Sequence, residues 1–205
     1  MSYLENNKKY WEKGYYAPNS TSVLHRLQGR ILGPRFGLPG KESRLLDFGC
    51  GQGANVNYFF KLGYEVSGVD ISEHDLGMAK KNYSHLQNRF QLVDSDPAHN
   101  EFYGWSSDID VVIAQQSLYY FSDTDWKKVI SRLFESMKPG AIIYASMMGD
   151  QHTFFEHSHA TDDPSLRKIK YTDPRGNLVD NYYVNFTRDK EHLSEKFQRF
   201  NRLEI

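Results

Sequence analysis

Leu45-Leu46-Asp47-Phe48-Gly49-Cys50-Gly51-Gln52-Gly53 is the stretch that decides the fold of this chain. Two apolar residues lead into an acid, and three glycines then alternate with other residues before a segment of helical spacing begins. The pattern is that of a strand turning into a helix over a loop with almost no side chains. Such a loop lets a ligand lie on bare backbone and turns the unpaired N–H groups at the helix start toward it. The same glycines would also serve an ordinary tight turn. The next segment, Glu65-Val66-Ser67-Gly68-Val69-Asp70, favours a ligand, because it reads as a second strand ending in an acid. A carboxylate about 20 residues beyond the glycines is where a nucleotide-binding βαβ unit holds ribose hydroxyls.

The glycine spacing separates two kinds of ligand. Pyrophosphate binders space their glycines G-x-G-x-x-G. This loop reads G-x-G-x-G and is opened by Asp47, an acid that suits a positively charged group and disfavours a pyrophosphate.

Working outward, Ala54–Leu62 carries Val56, Phe59 and Phe60 at helical spacing, and Gly63 is a stop. Ser72 with Asp75 forms a capping-box variant for a helix over Asp75–Tyr83. Phe90–Val93 reads as a short third strand running into Asp94-Ser95-Asp96-Pro97. Ile109–Ala114 is an apolar run suited to a strand buried on both faces. Trp126–Met137 has a strong helix pattern, Lys138-Pro139-Gly140 breaks it, and Ala141–Met147 is a fifth strand. Strands alternating with helices predict an α/β fold: a Rossmann-like, doubly wound, mostly parallel sheet with helices on both faces. Ligands of such sheets sit at the carboxyl ends of the strands. Asp47, Asp70, Asp94–Asp96 and Gln115-Gln116 all follow strands and therefore share one rim.

The flanks complete a single domain over residues 1–205. Residues 1–40, with the aromatic Tyr10-Trp11-Glu12-Lys13-Gly14-Tyr15-Tyr16, read as an N-terminal cap, and 41–148 as the cofactor-binding core. Residues 149–181 are polar and irregular, long for a connector, and read as a substrate lid. Residues 182–205 read as strand, helix and strand, with Tyr182–Phe186 an edge strand, Lys190–Phe200 the helix and Arg202–Ile205 the start of a last strand.

Apolar residues make up 39% and charged residues 25%, with a net charge of −1, so the chain reads as globular. It has no long basic run, which argues against nucleic acid as a partner and for a small-molecule substrate. Its one cysteine, Cys50, excludes an internal disulfide and fits a reducing compartment; it reads as a small residue packed under the turn rather than a nucleophile. The polar start and the lack of a long apolar window predict no signal peptide and no membrane span, hence a cytoplasmic location. Oligomeric state stays open.

Leu45–Gly53, with Asp70 after the second strand, resembles the first motifs of the class I S-adenosylmethionine-dependent methyltransferases of the small-molecule type. The resemblance runs from Leu45 to Met147, through Asp94-Ser95-Asp96, Ile109–Tyr120 and Met137-Lys138-Pro139-Gly140. It implies S-adenosyl-L-methionine as cofactor and S-adenosyl-L-homocysteine as product. Asp47 would lie near the amino-acid end, with Gly49, Cys50, Gly51 and Gly53 making room. Asp70 and Ile71 would take the ribose, and Ser95 and Asp96 the adenine. Gln115 and Gln116, where the fourth strand exits, would also contact the cofactor, Tyr119 and Tyr120 beyond them would border the methyl group, and Tyr15 or Tyr16 would close over the methionine end. The family sheet ends with an antiparallel hairpin, and this sequence stops within what would be its first half. The final strand is therefore missing, or the sheet closes differently.

Methyl transfer needs a base only where the nucleophile must lose a proton. Candidate catalytic residues are His152 and His157, in a lid segment that also holds His159, and Tyr119 after the fourth strand. The histidine spacing fits no common metal site, so no metal is expected. The mixed donors of the lid, with Arg167, Lys168 and Lys170, favour O-methylation of a small polar acceptor, a sugar or phosphorylated metabolite. The pattern around Ser117–Phe121 and Ser146–Gly149 also resembles methyltransferases of bacterial surface-polysaccharide biosynthesis. Tyr15, Tyr16, Tyr119, Tyr120 and Phe154 offer an alternative, an aromatic enclosure for N-methylation of a small amine such as a phosphoethanolamine-like compound. A non-catalytic subunit with a cofactor fold is the reading from another class.

Overall fold

The computed structural model describes residues 2–13, 19–172, 176 and 178–202. The chain opens with α1 (Tyr3–Trp11), capped by Ser2, and α2 (Ser22–Leu27), which continues through a π-helical stretch into α3 (Gly33–Phe36). The core alternates: β1 (Arg44–Phe48), α4 (Ala54–Lys61), β2 (Glu65–Asp70), α5 (Glu73–Asn82), β3 (Phe90–Leu92), β4 (Ile109–Gln115), α6 (Asp123–Ser136) and β5 (Met137–Ser146). Then come α7 (Thr153–Glu156), β6 (Ser158–Ala160), β7 (Arg167–Thr172), β8 (Leu178–Val184) and α8 (Lys190–Lys196).

β1 to β5 form one parallel sheet in the order β3-β2-β1-β4-β5. The order reverses between β1 and β4, which makes their carboxyl ends the natural ligand crevice. Alternation along β4 builds both cores at once. Val111 and Ile113 pack with Leu24, Val56 and Phe59 on one face, and Val112 and Ala114 with Trp126, Val129 and Leu133 on the other. The Ser72 hydroxyl accepts the Asp75 N–H at the start of α5, and the Ser122 hydroxyl accepts that of Asp125 at the start of α6.

The Lys138-Pro139-Gly140 break does not form a separate turn. α6 ends at Ser136 and β5 begins at Met137, and the tripeptide becomes an irregularity in the pairing, which steps from Ile109↔Met137 to Val111↔Ile142. Gly140, at φ +82°, absorbs it.

Among its described residues, the stretch expected to be an irregular lid forms regular strands. β6, β7 and β8 form a separate antiparallel sheet, and β8 crosses the expected boundary at 181. Its apolar side packs on the segments that follow β4 and β5: Ile169, Tyr182, Val184 and nearby Phe186 pack with Tyr119, and Met147 and Met148 join them. Among the described residues the main sheet has no strand beyond β5. α8 is shorter than Lys190–Phe200. Arg202 lies in no element, and Leu203–Ile205 of the expected last strand fall outside the described residues.

Candidate active site

The three glycines of the loop divide the work between packing and reception. A Cβ on Gly49 (φ +78°) would stand 2.5 Å from the Ser117 Cβ, and one on Gly53 (φ +81°) 2.6 Å from the Phe90 ring. These two let the loop nest against its neighbours. Gly51 differs: a Cβ there would meet nothing within 4 Å. Its bare side opens on the crevice. The Gly49 and Cys50 N–H groups both donate to the Val69 carbonyl, at 2.9 and 3.0 Å, so the loop is moored to the end of β2. Gly53 caps α4 without a side chain, which leaves the first turn of that helix open toward the crevice.

Asp70 holds the loop from the other side. Its carboxylate accepts the Gly51 N–H at 2.8 Å and the Ser72 N–H at 2.9 Å. Burial raises its pKa despite those two donors, and Asp75 adds to the rise. Asp47, at the end of β1, is 1% exposed. One of its oxygens, Oδ2, has no hydrogen-bond partner among the described residues. Burial first, and then the charge of Asp70, push its pKa up to about 7, with a hydrogen bond from the Asn55 side chain working against them.

Two carboxylates thus face one crevice, and among the described residues neither forms an ion pair. An orphaned buried carboxylate oxygen asks for a cationic donor. A nucleoside carrying an ammonium and a sulfonium supplies one, and a pyrophosphate does not. S-adenosylmethionine fits this donor set. Asp47 would face its amino group, Asp70 its ribose hydroxyls, and Gly51 the space it passes through.

The other expected residues gather with less uniformity. Ile71 follows Asp70 and is half-buried. Asp96, whose Oδ1 accepts the Ala98 N–H at 2.8 Å, caps a short 3-10 turn. Asp94 accepts the Asp96 N–H and pairs with His99, so it braces the loop that presents Ser95, which is half-buried. Gln115 Oε1 accepts the Thr21 hydroxyl at 2.8 Å, which ties the cap to the end of β4. Gln116 has φ +56°, rare for a residue with a side chain, and its N–H donates to Ser146 Oγ at 2.8 Å. Tyr15 and Tyr16 lie outside the described residues. Cys50 is buried, its sulfur where a Gly68 Cβ would come within 2.8 Å, and its thiol pKa is pushed well up by burial and by Asp70 and Asp47. It packs the turn and is held as a thiol.

Several supporting contacts had no sequence signal. Ser117 Oγ donates to the Phe48 carbonyl at 2.7 Å, directly beneath Gly49. Gln52 is buried and donates to Asp75. The Ser72 hydroxyl reaches the Trp11 carbonyl, which brings the end of α1 to the ribose side of the crevice. Any of these residue types would be unremarked in a loop, and only the fold joins them.

Tyr119 and Tyr120 sit where the fourth strand exits, within a cluster of rings. Tyr119 and Tyr120 are 4.5 Å apart between centroids, Tyr120 and Trp11 5.3 Å, and Tyr10 and Tyr182 4.3 Å. Burial raises the Tyr10, Tyr120 and Tyr182 hydroxyls above the ordinary phenol range, so these stay protonated. Two of the histidines border this cluster, His152 against Phe154 at 4.8 Å and His157 against Tyr171 at 4.9 Å. His152, His157 and His159 are all exposed on the lid. His152 Nδ1 accepts the Phe154 N–H at the start of α7. Among the described residues no three His, Cys, Asp or Glu side chains come together as a metal site requires. No helix among them is long and apolar enough to cross a membrane.

Residues 45–140 match the family model described as a methyltransferase domain. The chain is 32% identical over 114 residues to a ubiquinone biosynthesis O-methyltransferase of Azoarcus sp. (strain BH72), covering 55% of this chain and 46% of that one. It spans about half the length of the curated relatives it matches. A crystal structure of a SAM-dependent methyltransferase from Methanosarcina mazei superposes with a TM-score of 0.64 at 18% identity, over 88% of this chain and 84% of that one. A phosphoethanolamine N-methyltransferase from Haemonchus contortus, bound to phosphomonomethylethanolamine and S-adenosylhomocysteine, shares the fold. Its TM-score is 0.56 at 21% identity, over 97% of this chain and 41% of that one. The matched segment begins at the strand that carries Asp47 and spans every strand end that lines the crevice up to β4. Residues 45–140 thus form a methyltransferase domain, in a fold shared with solved S-adenosylmethionine-dependent methyltransferases.

Proposed function

We propose that this protein methylates a small molecule at an atom that gives up its proton near pH 10, an amine or a phenol. The observation that carries the reading is the chemistry of the β4 exit. Among the described residues, Gln115 to Tyr120 and Ser146 to Met148 offer amides, hydroxyls, thioethers and rings, and no histidine, lysine or carboxylate. The buried phenols of the neighbouring cluster are held protonated and so are donors, not bases.

S-adenosylmethionine supplies a methyl group already activated on a sulfonium. What is left to the chain is to orient the acceptor, keep water out and cope with one proton. Orientation alone is worth about 7–11 kcal/mol. An amine or phenol with a pKa of about 10 offers roughly one molecule in a thousand in reactive form at neutral pH. An alcohol, close to water at about 15.7, offers almost none without a base. Sugar O-methylation therefore needs a base, for which the exposed lid histidines at the edge of the ring cluster are the candidates, His152 with its Nδ1 already occupied in capping. The aromatic rings favour an amine, through cation–π contacts of about 0.5–2 kcal/mol each. A relative named for O-methylation keeps an oxygen acceptor in the reading, and of oxygen acceptors a phenol is the one that needs no strong base. In this reading residues 1–40 close over the crevice from one side and the lid from the other, and Tyr119 orients the acceptor.

A panel of primary amines, phenols, sugars and phosphosugars with methyl-labelled cofactor tests the proposal. Transfer to amines or phenols is expected, with a rate that climbs with pH as the acceptor loses its proton. Transfer confined to sugars or phosphosugars, lost on replacing His152 or His157 by Ala, would overturn it. No transfer to any of the panel would favour a non-catalytic subunit.

A further inference from the structure

Two side chains on adjacent strands reach the crevice from the same face of the sheet. In the parallel pairing of β1 with β4, Asp47 is in register with Ile113. The period of two then puts Gln115 on that face as well, one pleat further on. The packing agrees: Leu45 and Ile113, two residues before Asp47 and Gln115, belong to one core with Leu24 of α2. Two residues of rise and one strand spacing separate Asp47 from Gln115, about 8 Å between Cα atoms. An α-amino acid that gave its ammonium to one and its carboxylate to the other, through hydrogen bonds of about 2.9 Å, is of the size to bridge them.

The two ends of the cofactor's amino acid need opposite partners. Asp47 Oδ2, without a partner among the described residues, suits the ammonium. The carboxylate needs donors, and the segments around the crevice hold no cation for it. Asp47 to Asn55 and Gln115 to Tyr120 contain no Lys or Arg. Arg26 of α2 lines the groove beside β5, with Ile142 and Tyr144. His25 stacks on Tyr58 at 4.2 Å, with its Nε2 2.7 Å from Ser20 Oγ. Neutral donors are left.

Thr21 decides which donors these are. It stands at the N-cap of α2, where a threonine hydroxyl ordinarily accepts a backbone N–H of the first turn. Here it makes no such bond. The hydroxyl donates instead to Gln115 Oε1 at 2.8 Å. With its oxygen end taken by Thr21, the carboxamide turns its NH2 end away from the cap, and among the described residues nothing accepts from it. We propose that Gln115, with Thr21 as its positioning residue, receives the carboxylate of the bound cofactor. Asp47 and Gln115 then read the two charges of one amino acid from neighbouring strands. Thr21 fixes the polarity of the second reader, and the cap takes part in cofactor binding through that one hydrogen bond.

Calorimetry with two ligands tests this: S-adenosylhomocysteine, and its decarboxylated counterpart, in which hydrogen replaces the carboxylate. The native chain should bind the first about ten- to a hundredfold more tightly, the worth of a charged hydrogen bond. Thr21→Val and Gln115→Glu should each remove most of that preference. Thr21→Val should still bind the decarboxylated ligand within about twofold of the native chain, and Gln115→Glu at least as tightly. Both results would show that the variants are folded and keep their ribose and ammonium contacts. Thr21→Ser, which retains the hydroxyl, should keep the preference. Equal affinity of the native chain for the two ligands would overturn the proposal. So would a Thr21→Val variant that loses both ligands alike, the mark of a purely structural tie, or a preference lost in His25→Gln and kept in Gln115→Glu.

Discussion

A methyl group added to Gly51 would meet only the crevice, whereas one added to Gly49 would collide with Ser117. Substitutions at the two sites should therefore fail in different ways. Gly51→Ala should fold with a loss of about 1–2 kcal/mol for its left-handed backbone, yet bind S-adenosylhomocysteine far more weakly. Gly49→Ala should lose about 1–3 kcal/mol more from overpacking. Thermal unfolding with and without the nucleoside separates the two. Asp47 carries a pH prediction. Its folded pKa of about 7 lies above the ordinary 3.8, so the folded state holds a proton that the unfolded state releases. The free protein should lose stability as pH rises from about 4 to 7, and keep the full penalty above that. Asp47→Asn should remove this slope and raise the melting temperature at pH 8. It should also weaken nucleoside binding by about ten- to a hundredfold, because a charged hydrogen bond worth about 1.5–3 kcal/mol is gone. Stability and affinity moving together would refute the assignment.

Among the elements, the join between the cap, the lid and the main sheet rests on two buried asparagines. Asn7 on α1 donates to the Tyr120 and Tyr183 carbonyls, each at 3.1 Å, and accepts the Tyr183 N–H at 2.7 Å. Asn185 donates to the Tyr119 and Phe121 carbonyls and to Asp123. Asn7→Ala should cost about 1–3 kcal/mol by leaving those groups unpaired. It should speed proteolysis within β6 to β8 and lower turnover more than cofactor affinity; an unchanged cleavage pattern would sink the idea. The contrast between core and lid also explains what the sequence disclosed. β1, β2, β4 and α6 were legible because burial on both faces, or along one stripe, imposes a strict apolar period. β7, Arg167-Lys168-Ile169-Lys170-Tyr171-Thr172, fully buries only Ile169, with Tyr171 half-buried beside it and four polar residues around them, so its alternation is too thin to read. Asp47, the glycines and Asp70 were legible because one loop and one strand end carry them. Gln52 and Ser117 were not, because each matters only through a partner distant in sequence.

For the molecule as a whole, a ligand that grips only the folded crevice must stabilise everything attached to it. S-adenosylhomocysteine at about 100 times its dissociation constant should raise unfolding stability by roughly 2.7 kcal/mol, and NAD under the same conditions should not. Calorimetry that finds the reverse would reassign the crevice. Burial of Cys50 beneath the turn has a consequence of its own. The chain has no other cysteine, and this one is 7% exposed with its thiolate disfavoured. A chromogenic disulfide should therefore report a single event, the lifting of the glycine turn off β2, as one slow exponential. Added nucleoside should lengthen its half-life in proportion to 1 + [L]/Kd, with [L] the free nucleoside concentration. The chain thus carries, unlabelled and unmutated, a clock for how often its own binding loop breathes.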